Sequence, residues 1–108
     1  MNLRQLQLES HNDIFFDTFK TSLRQGITNG TVRATLYTLN GDPVAGATNI
    51  TLVFVAGSRG NYIGTIPNTV ALVEGARYTL KIVCSYVDSG VTKVYVGREF
   101  AIAGYFNT

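Results

Sequence analysis

Leu72-Val73-Glu74-Gly75-Ala76-Arg77-Tyr78 runs straight into Thr79-Leu80-Lys81-Ile82-Val83-Cys84-Ser85-Tyr86, and this stretch decides the fold. From Arg77 onward the chain alternates. Tyr78, Leu80, Ile82, Cys84 and Tyr86 share one face, while Arg77, Thr79, Lys81 and Ser85 take the other. A period of two identifies a strand with one side in the core. The residues before it carry a second signal: Leu72, then Gly75, then Tyr78 at the mouth of the strand. Where a chain bends tightly from one layer to another, backbone groups in the bend lose their ladder partners. A tyrosine at the strand entrance meets that need, its ring packing inward and its hydroxyl returning to the bend.

This spacing matches the tyrosine corner of Greek-key sandwiches, and the rest of the chain repeats the same grammar. Val32, Ala34 and Leu36 share a face in Thr31–Leu39, as do Ile50, Leu52 and Phe54 in the next run. Asn61–Ile66 aligns Tyr62 with Ile66 and stops at Pro67, which has no N–H for a ladder. Val91–Ala103 reads as the last strand with Val94, Val96, Phe100 and Ile102 inward. Arg98 falls on that same parity, which calls for either a bulge at Gly97 or a snorkelling side chain. Asn40-Gly41-Asp42-Pro43, Gly57-Ser58-Arg59-Gly60-Asn61 and Asp88-Ser89-Gly90 are turn clusters between these runs. The expectation is an all-β, antiparallel Ig-like or FnIII-like Greek-key sandwich of six or seven strands.

The expected organisation is an N-terminal arm at 1–12, a sandwich at 13–103 and a tail at 104–108. Leu6 and Leu8 lie in strand phase with only Leu3 for company, so the arm has no evident place in the core. Asp13–Lys20 suits a first strand with Phe15 and Phe19 on one face and Ile14 and Phe16 on the other. Apolar residues on both faces suit a strand covered by a partner chain or a loop. At the other end, Tyr105 and Phe106 either dock on a neighbour or fold back over their own sheet.

Composition narrows the chemistry. With 108 residues, one cysteine and no tryptophan, the chain forms one domain without an internal disulfide or cysteine-based zinc site. Nine cations face seven acids and are scattered along the sequence, so no nucleic-acid groove is expected. No apolar run is long enough to cross a bilayer, so no membrane partner is expected. The first ten residues lack the pattern of a secretory signal, which points to synthesis in a reducing cytoplasm. Cys84 between Val83 and Ser85 reads as a small buried hydrophobe. His11 has no nucleophile turn or triad context, and the acids Glu9, Asp13, Asp17, Asp42, Glu74, Asp88 and Glu99 are dispersed. No catalytic, cofactor or metal residues are expected, and the chain reads as a non-enzyme.

Thr31–Tyr37 followed by Asn40–Ala47 resembles the second strand and turn of fibronectin-III-like and immunoglobulin-like modules. Gly60-Asn61-Tyr62-Ile63-Gly64-Thr65-Ile66-Pro67, leading into Leu72–Tyr78, is similar to small Ig-like proteins of bacteriophage tails, baseplates and head–tail necks. The resemblance covers about residues 13–103, and its motifs speak to fold rather than to function. The missing tryptophan and paired cysteines depart from antibody-type domains. The resemblance implies a structural component of a virion, with other virion proteins and copies of itself as partners. The residues expected to make those contacts are Leu6, Leu8, Phe15, Phe16, Phe19, Tyr105 and Phe106. Deleting 1–12 or 104–108 is then expected to weaken association and leave the sandwich folded. The competing expectation is a glycan-binding or adhesion module, for which Asn61, Tyr62 and Asn68 make the nearest approach. Tyr95, out of phase with Val94 and Val96, is the best candidate for an outward aromatic.

Overall fold

The computed structural model describes residues 3–18 and 26–106. These form seven strands: β1 (Arg4–Gln7), β2 (Asn12–Asp17), β3 (Thr31–Thr38), β4 (Ile50–Phe54), β5 (Asn61–Ile66), β6 (Arg77–Asp88) and β7 (Val91–Gly104). They line up in the order β1-β7-β6-β3-β4-β5-β2, a single mixed sheet nearly closed into a barrel. Every pairing is antiparallel except β1 with β7, which is parallel. β4 makes the sheet turn over. Ile50, Thr51 and Leu52 pair with β3, whereas Val53 and Phe54 pair with β5.

Alternation on β6 puts Tyr78, Leu80, Ile82, Cys84 and Tyr86 in the core, joined by Val32, Ala34 and Leu36 from β3 and Leu52 from β4. The bend before β6 is held by Tyr78, whose hydroxyl accepts a hydrogen bond from Val73 N at 2.9 Å. Gly75 sits there at φ +79°, a region that glycine enters without steric cost, and its N–H reaches Ala103 O of β7. Leu72 packs against the core from the same bend.

β7 reverses the expected phase. Its register with β6 runs unbroken from Arg77↔Ile102 to Asp88↔Val91, so there is no bulge at Gly97. Tyr95, Gly97, Ala101 and Ala103 therefore share the core-facing side, while Val94, Val96, Arg98 and Phe100 point to solvent. The two-residue turn Ser89-Gly90, with both residues at positive φ, fixes that register. The physical reason is volume. Ile82 faces Gly97 and Tyr78 faces Ala101, so small β7 residues make room for β6 at these two places, while Glu99, on the same parity opposite Leu80, is held by Arg4. Tyr95 turns inward over Gly97 and stacks on Phe16 of β2, with centroids 5.8 Å apart.

The N-terminal segment is part of the barrel and not an arm outside it. β1 pairs with Ala101–Gly104, and Leu6 and Leu8 are 1% and 8% exposed. β1 and β2, the two ends of the sheet, meet through side chains. Asn12 accepts from Gln7 N at 2.8 Å and donates to Gln7 O at 3.0 Å, its amide standing in for a backbone partner. Arg4 pairs with Glu99 at 2.8 Å and donates to Asp13 O at 3.3 Å. The tail folds back over this same end. Phe106 N donates to the Gln7 side chain at 2.9 Å, and the Phe106 ring lies over Gly104.

Candidate assembly surfaces

The predicted contact residues divide sharply. Leu6, Leu8 and Phe16 belong to the core and are closed to partners: Leu6 and Phe16 lie on the inward parity of β1 and β2, and Leu8 enters the core from the turn after β1. Phe19 lies outside the described residues. Phe15 is 52% exposed, Tyr105 is exposed with its hydroxyl 3.2 Å from Glu9, and Phe106 is partly covered. β2 is thus apolar on both sides because Ile14 and Phe16 face the core and Phe15 faces out.

Phe15 is not isolated. It lies directly across from Ile63, which lies across from Val53, so three exposed apolar side chains cross β2, β5 and β4 in one row. Asp13 and Asp17 share the outward parity on β2 and flank Phe15 along the strand. Asp13 accepts a hydrogen bond from the Thr65 hydroxyl at 3.0 Å.

The residues put forward for glycan binding go elsewhere. Tyr62 is 1% exposed, and its hydroxyl donates to Ile27 O at 2.8 Å while accepting from Gly30 N at 2.9 Å. Burial raises the pKa of that hydroxyl above its ordinary value. It is an internal tie between β5 and the loop before β3. Tyr95 is inward, as shown above. Asn68 N donates to His11 Nδ1 at 3.2 Å near the surface. Cys84 is buried, and desolvation pushes its thiol upward, away from the thiolate a nucleophile needs. Among the described residues, no group of three or more His, Cys, Asp or Glu could hold a metal ion.

The outer face of β3, β6 and β7 carries a feature that linear reading missed. Arg33, Arg77, Lys81 and Arg98 all take outward positions there, and none of the seven acids does. Lys81 and Arg98 are direct cross-strand partners, and Arg33 lies opposite Val83, two residues on from Lys81. Tyr37, Leu39, Lys81, Arg98 and Phe100 line a groove of about 450 Å³ on this face, and Arg33, Thr35 and Lys81 line another of about 270 Å³. Val83, Val94 and Val96 fill the space between the charges. The four cations are separated by up to 65 positions in the chain, so only the register brings them together.

Like charges directly opposite each other on a sheet repel. Lys81→Glu turns the Lys81–Arg98 repulsion into attraction and is expected to stabilise the fold by about 0.5 kcal/mol, a Tm gain of ~2–4 °C by calorimetry. An unchanged or lower Tm would show that the pair does not interact.

The β7 edge is the third surface. β1 covers only Ala101–Gly104, and Val91–Phe100 have no ladder partner on that side among the described residues. Opposite it, across a groove lined by Phe15, Asp17, Tyr95, Arg98 and Glu99, runs β2. The hairpin tip beyond β3 is closed by Lys93 Nζ on Asp88 Oδ2 at 2.9 Å. That hydrogen bond, together with the ammonium charge, lowers the Asp88 pKa.

No family model, curated protein or solved structure matches this chain. Surface chemistry and strand edges therefore carry the functional argument.

Proposed function

We propose that this chain is a non-enzymatic structural protein that works by protein–protein assembly, as a component of a tailed-bacteriophage virion. The open edge of β7 carries the reading. Along the ten residues Val91–Phe100, alternate residues turn backbone donors and acceptors to the open side, where an incoming strand can pair. Soluble monomers blunt such edges with charge, bulges or short strands. Here the strand is long and unbulged; of its three charges Lys93 and Glu99 are paired within the chain, and Val94, Val96 and Phe100 are 61%, 41% and 51% exposed. Strand addition supplies main-chain hydrogen bonds, while the neighbouring side chains supply selectivity.

The strand order supports the immunoglobulin-like reading. Such domains keep strands G, F and C adjacent in one layer and E beside B in the other. β7, β6 and β3 occupy the first places and β5 and β2 the second, with β4 bridging the layers. Tyr78 then stands near the start of strand F, where the tyrosine corner belongs. The phage assignment itself rests on the sequence resemblance of Gly60–Tyr78.

Sedimentation tests this reading. The full chain is expected to show a weight-average mass that climbs above 11.8 kDa with concentration. The double variant Val94→Lys/Val96→Lys is expected to stay at the monomer mass with its Tm intact, because lysines on an edge oppose strand addition. A wild-type chain that stays monomeric at millimolar concentration and retains no other virion protein overturns the proposal.

A further inference from the structure

We propose that the basic face of β3, β6 and β7 docks the acidic, apolar face of β2, β5 and β4 on a second copy of this chain, giving head-to-tail association. The inference rests on the assembly reading and names the partner. Its first support is charge distribution. Four of the nine cations occupy one face, and the remaining five stand against all seven acids on the rest of the chain. A molecule divided this way attracts its own copies in one orientation and repels them in the other.

The second support is pattern. On the basic face, valines sit among the charges: Val83 and Val96 follow Arg33 across the strands. The two rings on this face, Tyr37 and Phe100, border the neighbouring groove, and only valines lie between Arg33 and Arg98, where a protein sheet face with alternating acid and apolar residues packs well. β2 presents such a face, with Asp13, Phe15 and Asp17 in alternation beside Ile63 and Val53.

The third support is spacing. Asp13 and Asp17 lie four residues apart on one strand, about 13 Å. Arg33 and Arg98 lie two strands and two residues apart, about 12 Å. Both carboxylates are already engaged within their own chain, Asp13 by the Thr65 hydroxyl, but a carboxylate accepts several hydrogen bonds, so each can also meet a guanidinium while Phe15 settles over Val83 and Val96. Because two different patches meet, the contact is heterologous and builds rings or filaments instead of closed dimers.

The test is light scattering on the full-length chain and two charge-reversed variants, Arg33→Glu/Arg98→Glu and Asp13→Lys/Asp17→Lys. Each variant alone is expected to associate at least about tenfold more weakly than wild type, and an equimolar mixture is expected to regain association, since the swapped faces are again complementary. Molar salt is expected to weaken the wild type and the mixture alike. Melting curves guard against misfolding, with Asp13→Asn as the milder variant should the double reversal unfold. If wild type associates but neither reversal nor salt matters, this inference falls and the assembly reading stands. A monomeric wild type removes this inference, and removes the assembly reading as well if it retains no other virion protein. A monomer that binds an oligonucleotide through Lys81 and Arg98 overturns this inference in favour of a nucleic-acid face.

Discussion

A chain beginning at Asn12 is expected to lose cooperative folding. The segment removed contains β1, whose four residues pair with Ala101–Gly104 and whose Leu6 is 1% exposed. Leu8 follows it into the core and donates its N–H to Gly104 O at 3.0 Å. Burying two leucines is worth about 1.5–3 kcal/mol each. The β1 ladder and the Arg4–Glu99 pair go as well, and Asn12 loses both bonds to Gln7. With each ordinary hydrogen bond worth about 1 kcal/mol, the sum exceeds about 5 kcal/mol. A domain of this size has only about 5–15 kcal/mol in total. Urea titration followed by circular dichroism should show a broad or absent transition. The single change Leu6→Ala, at a cost of about 3 kcal/mol, gives a graded check. A truncated chain with the full-length midpoint would mean that β1 contributes nothing to the fold.

The second large effect is expected at Gly60. This residue sits at φ +125°, outside the region open to other residue types, and is packed on its Cα side. An alanine Cβ would collide with Thr18 Oγ1 and stand 2.7 Å from Ile27 N. Those two groups form one buried tie: Thr18 Oγ1 donates to Gly60 O at 2.9 Å and accepts from Ile27 N at 2.9 Å. Ile27 O is in turn held by the Tyr62 hydroxyl. Backbone strain and overpacking each cost about 1–3 kcal/mol, and loosening the hydrogen bonds adds to both. Gly60→Ala is therefore expected to lower stability by about 4 kcal/mol and Tm by ~15 °C or more. Gly57→Ala provides the contrast. Its φ is +82°, but a Cβ there meets nothing within 4 Å, so only the strain of about 1 kcal/mol applies. Equal losses at the two sites would show that the cluster around Thr18 is not tightly packed.

The parts of the fold legible in sequence were those where residue size and phase agree. β6 alternates cleanly because its inward side chains are all large and its outward ones mostly polar. On β7 size and phase disagree. Its inward parity mixes Lys93, Tyr95, Gly97, Glu99, Ala101 and Ala103, and its valines face solvent, so hydrophobicity points to the wrong side. Arg98 was the symptom: an arginine on the supposed inward parity marked the reading as inverted. β1 is too short for a period to show, and its place depends on a parallel pairing with residues 97 positions away. The basic face was hidden for a similar reason, since its cations are distant in sequence and meet only through the β3–β6–β7 register. The Leu72–Tyr78 corner, by contrast, is local and visible in seven residues.

The parallel pairing of β1 with β7 also has a mechanical consequence. Tension applied through the two ends of the described chain pulls Arg4 back along β1 and Gly104 forward along β7, so the strands slide past each other. All four residue pairs must then give way together under shear, whereas an antiparallel hairpin loaded at its open end peels one pair at a time. A unit strung between neighbours would resist stretching at this seam first.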